Sequence, residues 1–291
     1  MGHCQAAILA DRAVFTVTGI DARKFLQGML TNDVGKLSDG EAMHAGLLAP
    51  QGKILFELFV VAVKEEFLVD VTRDRMAELI KRLGFYRLRS KVEMREEPDI
   101  KVAAVWSGTA RLPEGAIAYR DPRLAALGWR VLLPAARSAS ELGCNDAIEA
   151  EYHAMRIKLG VPEGGRDYSL GDTFPHEALF DQLNGVDFKK GCYVGQELVS
   201  RMEHRGLARK RIVPVEGETE LPPSGTPVMA AGVAIGTLGS SSGVSGLALI
   251  RLDRAEEALA KGGTLKAGEV SITLRQPEFA RFSVPVTALS A

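Results

Sequence analysis

The chain has 291 residues, enough for two domains or three small ones, and 46% hydrophobic with 25% charged residues is ordinary for a soluble globular protein. A net charge of -1 argues against direct nucleic-acid binding, and no apolar run approaches the length of a membrane span. Cys4, Cys144 and Cys192 are far apart and form no C-x-x-C. That spacing points to a reducing compartment and away from a disulfide framework, a zinc site or an iron–sulfur cluster held by this chain alone. With no signal-peptide pattern at the N-terminus, a cytoplasmic protein is expected.

Residues 14–17 read as a strand ended by Gly19. Asp21 then serves as N-cap for a helix through Phe25, Leu26, Met29 and Leu30. Thr31-Asn32-Asp33 leaves that helix as a polar turn. Residues 42–49 and 54–63 read as strands joined at Pro50-Gln51-Gly52, the second with both faces buried because its apolar run hardly alternates. Residues 67–71 continue the sheet. Thr72 caps a helix carrying Met76, Leu79, Ile80 and Leu83 on one face, and short strands follow at 92–94, 102–106, 117–119 and 129–133.

From Asp146 the pattern changes to a helix with Gly160 at its C′ position and Pro162 beyond. Residues 163–190 form a long irregular stretch that contains Asp172-Thr173-Phe174-Pro175-His176-Glu177. A structureless segment of that length inside a compact protein is usually functional. Glu177, beside a proline-fixed backbone, is a plausible fixed carboxylate; His176 reads as a surface residue. After Arg211 the chain turns strand-rich, with Pro214 among the separators, strands at 226–229, 233–238, 247–252 and 270–274, and a flexible loop at 239–243.

The densest chemistry lies at Lys189-Lys190-Gly191-Cys192-Tyr193-Val194-Gly195-Gln196-Glu197. A helix expected over 194–205 places Cys192 just ahead of a helix start. Its dipole and the neighbouring Lys190 both favour the thiolate, so Cys192 is a candidate nucleophile or soft ligand. The two glycines allow close approach of the backbone to a bound group. From Val186 to Arg211 there are seven Lys/Arg against three Asp/Glu, crowded at Arg205, Arg209, Lys210 and Arg211. Such a patch suits an anionic small ligand or a solvated helix face.

Two of these stretches carry a resemblance. Phe25-Leu26-Gln27-Gly28-Met29-Leu30-Thr31-Asn32-Asp33-Val34 resembles the early signature of the folate-binding proteins related to the glycine cleavage T-protein, an aminomethyltransferase. Lys190 to Glu197 resembles, more specifically, the K-G-C-Y-x-G-Q-E signature of the YgfZ/IBA57 branch. That branch is described as folate-binding and as acting in assembly or repair of iron–sulfur clusters, including those of tRNA-modifying enzymes. The resemblance implies an α+β fold: a T-protein-like ring of three domains around a central channel. Residues 1–50 and 146–210 would form a discontinuous folate-binding domain, 51–145 an inserted ferredoxin-like module, and 211–291 a C-terminal β-barrel.

The resemblance also implies tetrahydrofolate, or a one-carbon derivative, as cofactor, with iron–sulfur client or assembly proteins as partners. It puts Cys192 and Lys190 at the reactive centre. Asn32, Asp33, Glu177, Tyr193, Gln196 and Arg201 would stand around the folate, with Glu177 at the pterin and Lys190, Arg201 and Arg205 as candidates for the anionic tail. One departure bears on the reaction. T-proteins place an Asp pair shortly after the hairpin glycine, and an ungapped match from Gly52 puts Leu55 and Phe56 there. Glu57 falls one residue late, on the opposite strand face. This weighs against the rival expectation, a folate-dependent methyl or aminomethyl transferase.

Overall fold

The computed structural model describes residues 4–206 and 208–285. Strands β1 (Gln5–Leu9) and β2 (Arg12–Thr18) lead into helix α1 (Ala22–Met29). β3 (Ala42–Leu48), β4 (Ile54–Val63) and β5 (Glu66–Thr72) follow, then α2 (Met76–Arg87). β6 (Glu93–Glu96), β7 (Ile100–Trp106), β8 (Ile117–Arg120), β9 (Trp129–Pro134) and the two-residue β10 (Asn145–Asp146) precede α3 (Glu149–Leu159). One five-stranded sheet has the order β3-β4-β5-β2-β6, a second the order β10-β1-β7-β9-β8.

β4 is buried on both faces, as its unbroken apolar run requires. Phe56, Leu58, Val60 and Ala62 point into an apolar core shared with Phe25, Leu26 and Met29 of α1 and Leu79 and Leu83 of α2. Phe59, on the other face, meets a polar core instead. The guanidinium groups of Arg12, Arg123 and Arg130 lie 5.5, 4.9 and 4.0 Å from its ring centre. Arg12 and Arg130 pair with Asp70 at 2.7 and 2.8 Å, and Arg123 pairs with Asp121 at 2.8 Å. Burial opposes a charged Asp121, but Arg123 and then Arg130 outweigh it and hold its pKa well below the carboxylate range.

The chain divides into two compact units. One holds the described residues up to Tyr152 with Leu183–Gln196; the other holds His153–Gln182 and the described residues from Glu197 onward. The boundary expected at residue 50 separates nothing in the first unit. β3 pairs with β4 across it, and β2 lies between β5 and β6. The turn between β3 and β4 is tight, with Gly52 N–H donating to the Ala49 carbonyl at 2.8 Å, so the two strands stay in one sheet.

Cys4 and Cys144 form a disulfide with their Cα atoms 4.7 Å apart, which corrects the expectation of unpaired thiols. Sequence separation concealed the contact. β1 pairs in parallel with β10, Gln5 opposite Asn145, and this puts the two preceding residues side by side. Asp21 is also reassigned: it makes no side-chain bond to its own helix, and its carboxylate accepts the Lys91 N–H at 2.8 Å.

α4 (Gln196–Arg205), whose residues from Glu197 onward belong to the second unit, starts two residues later than expected. β11 (Lys210–Gly217), β12 (Pro227–Ala230), β13 (Val233–Ser242), β14 (Ser245–Arg251), β15 (Leu265–Ala267) and β16 (Val270–Leu274) close a barrel in the order β11-β14-β13-β12-β15-β16. α5 (Leu252–Ala260) packs Ala255 against the barrel core, which includes Val213, Val215, Ile235, Leu238 and Ile250. Two expectations fail here. Pro214 lies within β11, where its carbonyl accepts the Arg275 N–H just past the end of β16. Its nitrogen faces that same side, beyond the ladder, so no pairing is lost. The expected loop at 239–243 is largely strand, with Ser241 opposite Gly246. Residues 286–291 of the expected barrel segment lie outside the described residues.

Candidate functional site

Cys192 is the free cysteine among the described residues, and it is exposed. The loop that carries it is held from beneath by Lys190. The Lys190 ammonium, almost fully buried, donates to the carbonyls of Gln27, Leu30 and Asn32 at 2.7, 2.5 and 2.9 Å. Gln27 and Leu30 stand at the end of α1, where the last carbonyls of a helix have no partner within it. A cation there also meets the negative end of the helix dipole. The Lys190 pKa is lowered to about 8, by burial first, with Asp33 and Asp187 opposing. Its Nζ also lies 4.9 Å from the centre of the Tyr193 ring, and burial pushes the Tyr193 phenol up.

The early motif supplies the other half of this clasp. Thr31 Oγ1 donates to the Gly185 carbonyl at 2.6 Å and accepts the Gly46 N–H at 2.8 Å. Asn32 donates its amide to the carbonyls of His44 and Asn184 at 2.9 and 2.7 Å and accepts the Asp33 N–H. Asp33 accepts from Gly35 N–H and from the Gln27 amide, both at 2.9 Å. The side chains of Asn32 and Asp33, expected at a ligand, therefore brace the turn and its neighbours, and Lys190, with Tyr193 beside its ammonium, ties that turn to the Cys192 loop. Gly195 has the same purpose. Its φ is +82°, and a Cβ there would lie 2.5 Å from the Ala49 carbonyl oxygen, so its close approach is to the β3–β4 turn.

Leu55 packs against the apolar core, Phe56 is fully buried in it, and Glu57 on the other face bonds His44 Nε2 at 2.9 Å. The side chains after the hairpin thus offer no exposed carboxylate pair.

Glu177 stands in a different place, a cavity of about 710 Å³ within the second unit. Phe174, Leu198 and Met202 supply apolar wall, β13 contributes residues 234–237, and Arg209, Lys210 and Arg251 bring charge. The local backbone is fixed from β11. Ile212 N–H donates to the Glu177 carbonyl at 2.9 Å, and Arg211 donates to the His176 carbonyl at 3.0 Å while bonding Asp181 through both terminal nitrogens at 2.9 Å. Arg211 is thus a buried anchor and not part of an open basic patch. His176 is buried too, not a surface residue, with Nε2 3.0 Å from Glu203. One Glu177 oxygen accepts the Phe174 N–H at 2.9 Å.

The barrel register places Lys210 directly opposite Arg251. Like charges so placed repel. Asp253 offsets Arg251, bonding it at 2.9 and 2.7 Å, and is itself held at a pKa of about 2 by that contact. Gln196 is half-buried at the first position of α4, and Arg201 is exposed and paired with Glu197 one turn earlier, a contact worth a few tenths of a kcal/mol. Neither Gln196 nor Arg201 lines the cavity. Arg251 was not legible as a site residue, because only the β11–β14 register brings it beside Lys210. The set, one carboxylate, three cations and apolar walls, suits a ligand with a flat hydrogen-bonding edge and an anionic end.

The human protein "Iron-sulfur cluster assembly factor IBA57, mitochondrial" is 36% identical to this chain over 270 residues, covering 83% of the chain and 76% of the human protein. The chain belongs to the IBA57 family. The mouse IBA57 protein is 35% identical over 277 residues, 84% of this chain and 76% of its own length. A Neurospora crassa IBA57 homolog is 36% identical over 228 residues, 71% of this chain, and the match spans only about half, 52%, of that relative. Residues 209–282 match the family described as CAF17, C-terminal beta-barrel domain, the region observed as the closed barrel. The crystal structure of the glycine cleavage system aminomethyltransferase T from Bartonella henselae superposes with a TM-score of 0.75 over 96% of this chain and 87% of its own, at 15% identity, which establishes a shared fold. The expectation of a cytoplasmic protein is overturned, since the names of the IBA57 relatives place them in mitochondria. Cysteine spacing and the lack of an apolar span report chemistry and not an address.

Proposed function

We propose that this IBA57-family chain acts in iron–sulfur cluster assembly, offering Cys192 as a soft ligand to the iron of a cluster in transit. The observation that carries this reading is an exposed free thiol on a loop clasped by a buried ammonium, in a chain whose relatives are named for cluster assembly. A thiolate is the common protein ligand for such clusters, and one Cys cannot complete a cluster's coordination. The remaining ligands then come from a partner protein. Clients among tRNA-modifying enzymes belong to the same proposal.

The cavity around Glu177 is proposed to hold tetrahydrofolate or a one-carbon derivative. Glu177 would accept from the amino and ring N–H edge of the pterin, and Arg209, Lys210 and Arg251 would face the glutamyl carboxylates. The volume lies within the usual range for small-molecule sites, and the donor set fits both ends of the molecule. When bound, folate supplies a carrier for one-carbon units. The transferase alternative gains nothing from this structure, because Leu55 and Phe56 belong to the apolar core.

Two measurements test the reading together. In a strain lacking the gene, the wild-type chain should restore iron–sulfur enzyme activity and Cys192→Ser should not. The purified protein should show no tetrahydrofolate-dependent formaldehyde transfer. Full rescue by Cys192→Ser removes the thiol from the mechanism, and turnover at an enzymatic rate makes the chain a transferase.

A further inference from the structure

The C-terminal half of α2 and the turn before α1 carry an exposed surface that the reading above does not use. Phe85 is 70% exposed and Leu88, one turn on, is 88% exposed. Leu88 also sits at φ 43°, ψ -109°, a backbone region that disfavours side chains. Ile20, 86% exposed, is held beside this segment. Gly19 packs so tightly that a Cβ would lie 2.2 Å from the Lys91 carbonyl oxygen. A cleft of about 750 Å³ opens here, with Phe25 and Leu88 in its wall and Asp21, Lys24 and Arg89 at its sides.

The charge around these apolar side chains is mainly basic, Asp21 being the exception in the cleft wall. From Leu79 to Val92 the chain has Lys81, Arg82, Arg87, Arg89 and Lys91 and no acidic residue, whereas the whole chain is almost neutral. Large exposed apolar side chains with a basic rim mark an interaction surface. The centre would supply affinity and the rim would select an acidic partner. A concave, partly apolar cleft suits an inserted side chain better than a flat lipid surface.

We infer that the Ile20–Phe85–Leu88 surface docks an acidic amphipathic segment of a partner protein, which seats an apolar side chain in the cleft beside Phe25 and sets its carboxylates against Arg82, Arg87 and Arg89. This docking is separate from the Glu177 cavity and from Cys192, so it stands or falls independently of the cluster and folate readings.

The test titrates the full chain with a synthetic helical peptide that has Leu on one face and Glu on the other, beside the same peptide with Lys in place of Glu. The Glu peptide should bind about ten-fold tighter or more. Phe85→Ser with Leu88→Ser should weaken it about ten-fold, and Arg82→Glu with Arg89→Glu should reverse the preference between peptides. All four side chains are wholly or partly exposed, so melting temperatures should be retained; if the double variants fail to fold, Arg89→Glu alone carries the test. Equal binding of the two peptides, or no response to the variants, overturns the inference. So does Phe85- and Leu88-dependent sedimentation with phosphatidylglycerol vesicles, which assigns the surface to a membrane, or dimerisation lost in the same variant, which assigns it to a second copy.

Discussion

The Cys192 loop and the Glu177 cavity treat their polar groups in opposite ways. Around the loop, Lys190 and the side chains of Thr31 and Asn32 face the backbone. Lys190 grips three carbonyls, Asn32 two more, and Thr31 ties the turn to Gly185 and Gly46. At the cavity, Arg209, Lys210 and Arg251 surround an open space, and the register sets two of these cations directly opposite one another. A dense motif can therefore mark residues that shape a loop, while the charges around a cavity are gathered from scattered positions.

The strongest way to break this contrast is Lys190→Met. It should cost about 2–3 kcal/mol of stability in urea unfolding, because carbonyls at the end of α1 lose a charged donor. An unchanged midpoint would mean the clasp holds nothing. At the cavity the matching change is Glu177→Gln, which should leave folding intact and weaken tetrahydrofolate binding by about 1.5–3 kcal/mol in calorimetry. Equal affinity in that variant would take Glu177 out of the site.

A smaller effect separates the two regions by pH. The folded Lys190 pKa of about 8 lies below the ordinary value of 10.5, so between those values the unfolded chain binds more protons than the folded one. Stability from this group therefore rises with pH across that window and is flat below it. Urea midpoints of wild type should gain on those of Lys190→Met from pH 8 upward, and parallel profiles would contradict the assignment. The smallest structural effect is expected at Cys192. Cys192→Ser should shift stability by less than about 0.5 kcal/mol, since the thiol is exposed and unpaired with another cysteine, while abolishing rescue of iron–sulfur enzymes. A large drop in melting temperature would make Cys192 a packing residue.

Local pattern was enough for much of the fold. The apolar run of β4, the strand at 270–274 and the helix from α1's Phe25 to Met29 follow from side-chain period alone, because burial on a strand or helix face is a short-range constraint. The K-G-C-Y-x-G-Q-E stretch also marked the one thiol left free among the described residues, and the irregular stretch marked Glu177. Tertiary structure decided the rest. The Cys4–Cys144 bond depends on a parallel pairing of β1 with β10, 140 residues apart in the chain. The polar core around Phe59 gathers Arg12, Asp70, Asp121, Arg123 and Arg130 from separate strands and a loop, each unremarkable in its own segment. Lys190 reads as a cation free to meet a ligand until the end of α1 is brought beneath it. A charge's partner is set by whichever backbone the fold delivers, and a long-range encounter of that kind leaves no period in the sequence.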